Sequence, residues 1–93
     1  MIIKLTGNER LQFQYVLPIQ GDFKTLEIVE NILEKCKIFT AEDLEVEKDI
    51  DFIEEEFDLI LKMISFLDDQ KQINFQSMPL IKKIMKFKEA INV

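Results

Sequence analysis

Thr6-Gly7-Asn8-Glu9-Arg10-Leu11-Gln12-Phe13-Gln14-Tyr15-Val16-Leu17-Pro18 supports two readings, and the choice between them decides the fold. Leu11, Phe13, Tyr15 and Leu17 alternate with Gln12 and Gln14, which is the period of a strand with one buried face. Gly7-Asn8 would then be the turn of a hairpin joining that strand to residues 1–6. The other reading starts from Thr6 and Glu9, which have the spacing of a capping box, with the glutamate at the third helical position. Leu11 and Tyr15 become neighbours four apart on a helix. We favour a short helix over residues 8–17, giving a mainly α fold; the hairpin would give an α+β fold. Pro18 ends the segment either way, because a residue before proline is pushed out of the helical region.

Outward from this stretch the pattern is helical. Asp22 can cap a helix over 23–36, where Leu26, Ile28, Val29, Ile32, Leu33 and Cys36 share an arc. Thr40-Ala41-Glu42-Asp43 opens a short helical turn, and Leu44, Val46, Ile50 and Phe52 then fall on alternate positions, a weak strand signal over 44–52. The longest helix spans 53–71. Ile53, Phe57, Ile60, Ile64 and Leu67 form one stripe, Leu59, Met63 and Phe66 a second, and Leu61 widens the first. Seven of the nine residues from Leu59 to Leu67 are apolar, more than one buried face requires, so the helix is expected to be central or to meet a partner. Ser77 can cap a last helix over 78–91, with Pro79 tolerated in its first turn and Leu80, Ile81, Ile84, Phe87 and Ile91 on its inner face. The expectation is a single domain over residues 1–93 with about four helices (8–17, 23–36, 53–71, 78–91) and short strands at 2–5 and 44–52.

Composition narrows the chemistry. The chain has no histidine and one cysteine, so no Ser-His or Cys-His pair and no internal disulfide can form, and neither an imidazole nor a Cys-rich zinc site is available. Two glycines do not make a phosphate-cradling loop. Cys36 closes an apolar stripe and reads as a core thiol rather than a nucleophile. No apolar run reaches the ~18 residues of a membrane span, and Met1-Ile2-Ile3-Lys4 lacks the features of a signal peptide, so a cytoplasmic protein is expected.

The formal charge of −6 conceals a separation. Residues 42–58 carry ten carboxylates against Lys48 alone, a net of −9, while residues 71–93 carry five lysines against Glu89, a net of +4. Glu45, Glu47, Asp49, Asp51, Glu54, Glu55 and Asp58 form a candidate acidic interaction surface, and Lys82, Lys83 and Lys86 a candidate basic face. Carboxylates also solubilise an irregular connection and favour a helix N-terminus, which is the plainer reading of the acids; helix-dipole pairing is the plainer reading of the lysines. Asp49 and Asp51 have the spacing that opens a calcium loop, yet the glycine turn is missing and Ile60 stands where the closing glutamate belongs, so no metal or other cofactor is expected. The lysine face contains no arginine for base reading, which argues against nucleic acid.

Residues 5–39 carry a series of short motifs: Leu5-Thr6-Gly7-Asn8-Glu9-Arg10-Leu11, then Val16-Leu17-Pro18, then Gly21-Asp22-Phe23-Lys24-Thr25-Leu26-Glu27-Ile28-Val29. This series resembles small bacteriophage and prophage proteins of uncharacterised function that share Glu-Arg-Leu, Leu-Pro, Gly-Asp/Asn-Phe and Thr-Leu at this spacing. Those proteins are richer in leucine where this chain has Gln12-Phe13-Gln14, which implies a helix there. The resemblance implies a phage context and action in the host cytoplasm; it carries no site residues.

The expected function is therefore a non-enzymatic phage accessory protein working through protein contacts. Its partner could be a second copy, the basic last helix of one subunit meeting the acidic segment of the other. The alternatives are an acidic inhibitor mimicking nucleic-acid charge and a weak nucleic-acid binder using the lysine helix. Carboxylate-only hydrolysis around a metal is the one enzymatic option that the composition leaves open.

Overall fold

The computed structural model describes residues 1–91. Strand β1 (Ile2–Thr6) leads directly into α1 (Gly7–Leu11), which tightens into a 3-10 turn over Gln12–Tyr15. Helix α2 (Phe23–Lys35), a 3-10 turn (Ala41–Glu45), strand β2 (Glu47–Asp51), helix α3 (Glu54–Asp69), a 3-10 turn (Phe75–Ser77) and helix α4 (Met78–Ile91) follow. The fold is mainly helical with a two-stranded antiparallel sheet.

The opening ambiguity resolves to helix, though not over the whole of 8–17. Thr6 Oγ1 accepts from the Glu9 amide at 3.1 Å, and Glu9 Oε1 accepts from the Thr6 amide at 2.8 Å, so the capping box is complete. Phe13, Val16 and Leu17 are buried while Leu11 and Tyr15 are exposed. A strand would have put all four alternating residues on one face; spacings of three and four separate them. The Phe13 carbonyl accepts from both Val16 and Leu17 amides, which closes the segment ahead of Pro18. The hairpin with residues 11–17 does not form. Strand β1 pairs instead with β2, in the register Ile2 with Asp51, Ile3 with Ile50, and Thr6 with Glu47. The expected strand over 44–52 is thus shorter, because residues 41–45 are taken up by the 3-10 turn.

Helix α2 starts where expected. Asp22 accepts from the Thr25 amide at 3.3 Å and from its hydroxyl at 2.6 Å, hydrogen bonds that hold the Asp22 carboxyl below its ordinary pKa. The helix ends at Lys35, one residue before Cys36. Helix α3 runs over 54–69 rather than 53–71. Lys71 adopts a left-handed conformation (φ 55°), the Gln72 amide bonds the Leu67 carbonyl at 2.8 Å and the Lys71 amide bonds the Asp68 carbonyl at 3.0 Å. This is a Schellman ending with lysine where glycine is usual. Helix α4 has the expected bounds, but Ser77 is not its cap. The Ser77 hydroxyl donates to the Asn74 carbonyl at 2.7 Å, and the Gln12 carboxamide oxygen takes up the Leu80 amide at 3.0 Å. The first turn of α4 is thereby tied to the 3-10 turn after α1.

The core gathers Leu5, Phe13, Ile32, Phe52, Phe57, Ile60, Leu80 and Ile84. Phe13 meets Phe52 edge to face at 5.9 Å, and Phe57 meets Phe87 likewise at 5.5 Å. Helix α3 has the central place its composition demands: α2 packs on it, and α4 reaches it through Phe87. Phe57, Ile60 and Ile64 are buried, and Leu59, Leu61 and Met63 are partly covered by the same core. Only Ile53 at its cap and Phe66 among the residues of its two stripes stay mostly outside.

Candidate interaction surface on the acidic edge strand

Two residues of α1 fix the segment that leads into β2. Gly7 lies so close to the 3-10 turn at 41–45 that a Cβ there would come within 2.7 Å of the Asp43 carbonyl group and the Leu44 Cα. Arg10, the only arginine, is buried, and its guanidinium donates to the carbonyls of Thr6 (3.3 Å), Lys37 (3.4 Å), Asp43 (3.4 Å) and Val46 (3.5 Å). These bonds are long, but one planar fork satisfies four carbonyls of three chain segments. The connection between α2 and β2 is thereby held against α1, and β2 is delivered in register to β1.

The hydrogen-bonding directions of β2 follow from its register. The Met1 amine donates to the Phe52 carbonyl and the Phe52 amide to the Met1 carbonyl, so Met1 and Phe52 are a mutually bonded pair. In an antiparallel ladder such pairs alternate, so Ile3 with Ile50 and Leu5 with Lys48 are bonded likewise. The backbone groups of Ile2, Lys4 and Thr6 therefore point away from the pair on one side, and those of Glu47, Asp49 and Asp51 on the other. The β1 side is half satisfied: Lys83 Nζ donates to the Lys4 carbonyl at 3.1 Å, Glu9 accepts from the Thr6 amide and Arg10 donates to the Thr6 carbonyl, while the Ile2 amide and carbonyl and the Lys4 amide bond nothing among the described residues. The β2 side is open. Lys35 Nζ reaches the Asp51 carbonyl at 2.9 Å, and among the described residues the remaining outward amides and carbonyls of Glu47, Asp49 and Asp51 bond nothing.

All seven candidate acids, Glu45, Glu47, Asp49, Asp51, Glu54, Glu55 and Asp58, are exposed and belong to β2 or its flanks. They are not equally free. Asp51 pairs with the Met1 amine at 3.0 Å, Glu47 lies 3.9 Å from Lys83 Nζ, and Asp49 stands opposite Lys4 in the register. Glu45, Glu54, Glu55 and Asp58 have no ion pair among the described residues. Another acid of the same run, Glu56, is buried. It binds Lys35 Nζ at 2.5 Å and accepts from the Ile53 amide at 2.9 Å, so it closes the start of α3 and ties it to the end of α2.

The lysine face is narrower than its sequence. Lys83 turns inward, to Glu9 Oε1 at 2.8 Å and to the Lys4 carbonyl, and locks α4 onto the capping box and β1. Lys82 and Lys86 remain exposed, on opposite sides of Lys83 along the helix. Cys36 lies in the core, and burial pushes its thiol up to about 12, so it is un-ionised near neutrality. A concavity of about 560 Å³ is an open apolar groove between residues 13–19 and α2, lined by Leu17, Ile19, Leu26 and Leu33 with Glu30 and Lys37 at its rim. No group of three or more potential metal ligands occurs among the described residues, and no described helix is long and apolar enough to cross a membrane.

No family model, curated protein or solved structure matches this chain. The surface must be read from its own chemistry. Sequence reasoning placed the acids outside and close together; it did not find the open edge beneath them, nor Arg10 and Glu56, which position it.

Proposed function

We propose that the chain is a small phage or prophage accessory protein that works by protein contact, its acidic face receiving a basic partner. The observation that carries this reading is the exposure of Glu45 before an open strand edge and of Glu54, Glu55 and Asp58 after it, none of them in an ion pair among the described residues. A one-signed patch speeds encounter with an oppositely charged surface and disfavours acidic competitors. The non-enzymatic part of the reading rests on the lack of histidine and of a second thiol.

The test is affinity capture from host lysate by the wild type and by a variant with Glu45, Glu54, Glu55 and Asp58 all changed to Gln. The wild type should retain a basic protein that raised salt releases and the variant fails to hold. Equal retention by both, or retention indifferent to salt, would count against the acidic face.

A further inference from the structure

We infer that the open edge of β2 is a strand-addition site, and that its occupant is an extended protein segment with basic and apolar residues in alternation. The inference rests on the reading of the acidic face as a contact surface and adds how the partner is held. Two observations carry it, and neither is the charge run alone. The first is the asymmetry of the two-stranded sheet. Of the six outward backbone groups of β1, three are bonded by Lys83, Glu9 or Arg10, whereas β2 has only the Asp51 carbonyl bonded and leaves the Glu47 and Asp49 amides and carbonyls and the Asp51 amide open. Five consecutive residues of edge are enough for a short strand to pair with, and main-chain bonding of this kind supplies affinity while alternate side chains choose the partner.

The second observation is which side chains do the choosing. Glu47, Asp49 and Asp51 project on one face of the sheet, and the other face at this edge presents exposed Val46 and Lys48 beside buried Ile50. A second copy of β2 does not fit. Antiparallel self-pairing about Asp49 would set Asp49 against Asp49 and Glu47 against Asp51, and like charges directly opposite one another destabilise a pair. The carboxylates therefore act as a guard against self-association and, for the same reason, as a filter that admits a strand with Lys or Arg at every second position. Such a strand would set its bases on the carboxylates and its intervening apolar residues toward Val46.

The experiment uses a fluorescent peptide of alternating lysine and valine, titrated with the full chain and followed by anisotropy. A second peptide has the same sequence with N-methyl groups on alternate amides, so its charge is kept and its bonding edge removed. Binding of the first, weakened by salt, with the second at least about tenfold weaker, is expected. On the protein side, Asp49→Pro deletes an amide that β1 does not use, a position where edge strands tolerate proline; it should abolish binding, while Asp49→Asn keeps most of it. Circular dichroism of Asp49→Pro checks that the fold survives, and the N-methyl comparison stands whether or not it does. Equal affinity for the two peptides overturns strand addition but leaves the acidic face as a charged contact surface. Absence of binding by both also overturns it, and the capture experiment with the four-glutamine variant then decides the face separately. A drop in Asp49→Asn as large as in Asp49→Pro likewise overturns it.

Discussion

Gly7→Ala should destabilise this protein, although helix propensity alone predicts the opposite. Gly7 is the first residue of α1 and its φ is not positive, so alanine suits the backbone, and the exchange would ordinarily gain up to about 1 kcal/mol. The surroundings reverse the sign. A Cβ at this position comes within 2.7 Å of the Asp43 carbonyl carbon and 2.6 Å of the Leu44 Cα, both backbone atoms that no rotamer change can move. Relief requires the turn at 41–45 to retreat from α1 by several tenths of an ångström or more. The Arg10 bond to the Asp43 carbonyl is already 3.4 Å long, so that retreat loosens the clamp as well. Overpacking of this kind costs about 1–3 kcal/mol, and the clamp's loss adds to it, so the net effect should be a loss of about 1–3 kcal/mol. Urea unfolding of wild type and variant measures it, with an expected fall of about 1–3 M in the midpoint for a slope near 1 kcal/mol/M. Gly21→Ala is the control. Its Cβ would meet nothing closer than the Thr25 methyl at 3.8 Å, so it should be neutral or stabilising by up to about 1 kcal/mol. A Gly7→Ala midpoint equal to or above that of the wild type would refute the close approach of α1 to residues 43 and 44.

Three further outcomes are expected. Arg10→Lys should lose about 2 kcal/mol in the same urea assay, because an ammonium cannot span four separated carbonyls; a midpoint like the wild type's would mean that Arg10 does not clamp the connection. Lys71→Gly should gain up to about 1 kcal/mol, the left-handed penalty of a side chain outweighing the extra freedom of glycine when unfolded; thermal unfolding reads it, and a lower melting temperature would contradict the Schellman ending. Cys36 has a raised thiol pKa of about 12 against an ordinary 9.0, so its contribution to stability is complete below pH 9 and is lost as pH climbs toward 12. Wild type should therefore lose stability across that window faster than Cys36→Ala, and parallel pH profiles would show that the thiol is not buried.

What could be read without the structure was local. The Thr6–Glu9 capping box, the Asp22 cap and the extent of α4 each depend on residues three or four apart, and each is found where the spacing put it. The pairing of β1 with β2 brings together residues more than forty positions apart, and no short-range pattern encodes it. Position did hold a trace of the two buried charges. Arg10 shares its helical face with Phe13 and Leu17, and Glu56 shares one with Ile60 and Ile64. Net-charge counting grouped Glu56 with Glu54 and Glu55, and only burial distinguishes them. Lys71 ends α3 two residues before the expected stop, and the sequence carried no glycine to announce it. The acidic surface was legible as composition; the openness of its edge was not, since that depends on which neighbours fold over β1 and not over β2.

The sheet also sets an order of events. Ile3 pairs with Ile50, 47 residues later, so β1 is synthesised long before its strand partner β2 exists. At ~5–20 residues per second that is an interval of ~2–9 s. During it α1 and α2 can form from local contacts, but nothing covers Ile3 and Leu5. A nascent chain of this protein should thus spend seconds with two core residues of β1 unshielded, and the slow step of its folding should be closure of the long loop that β2 completes.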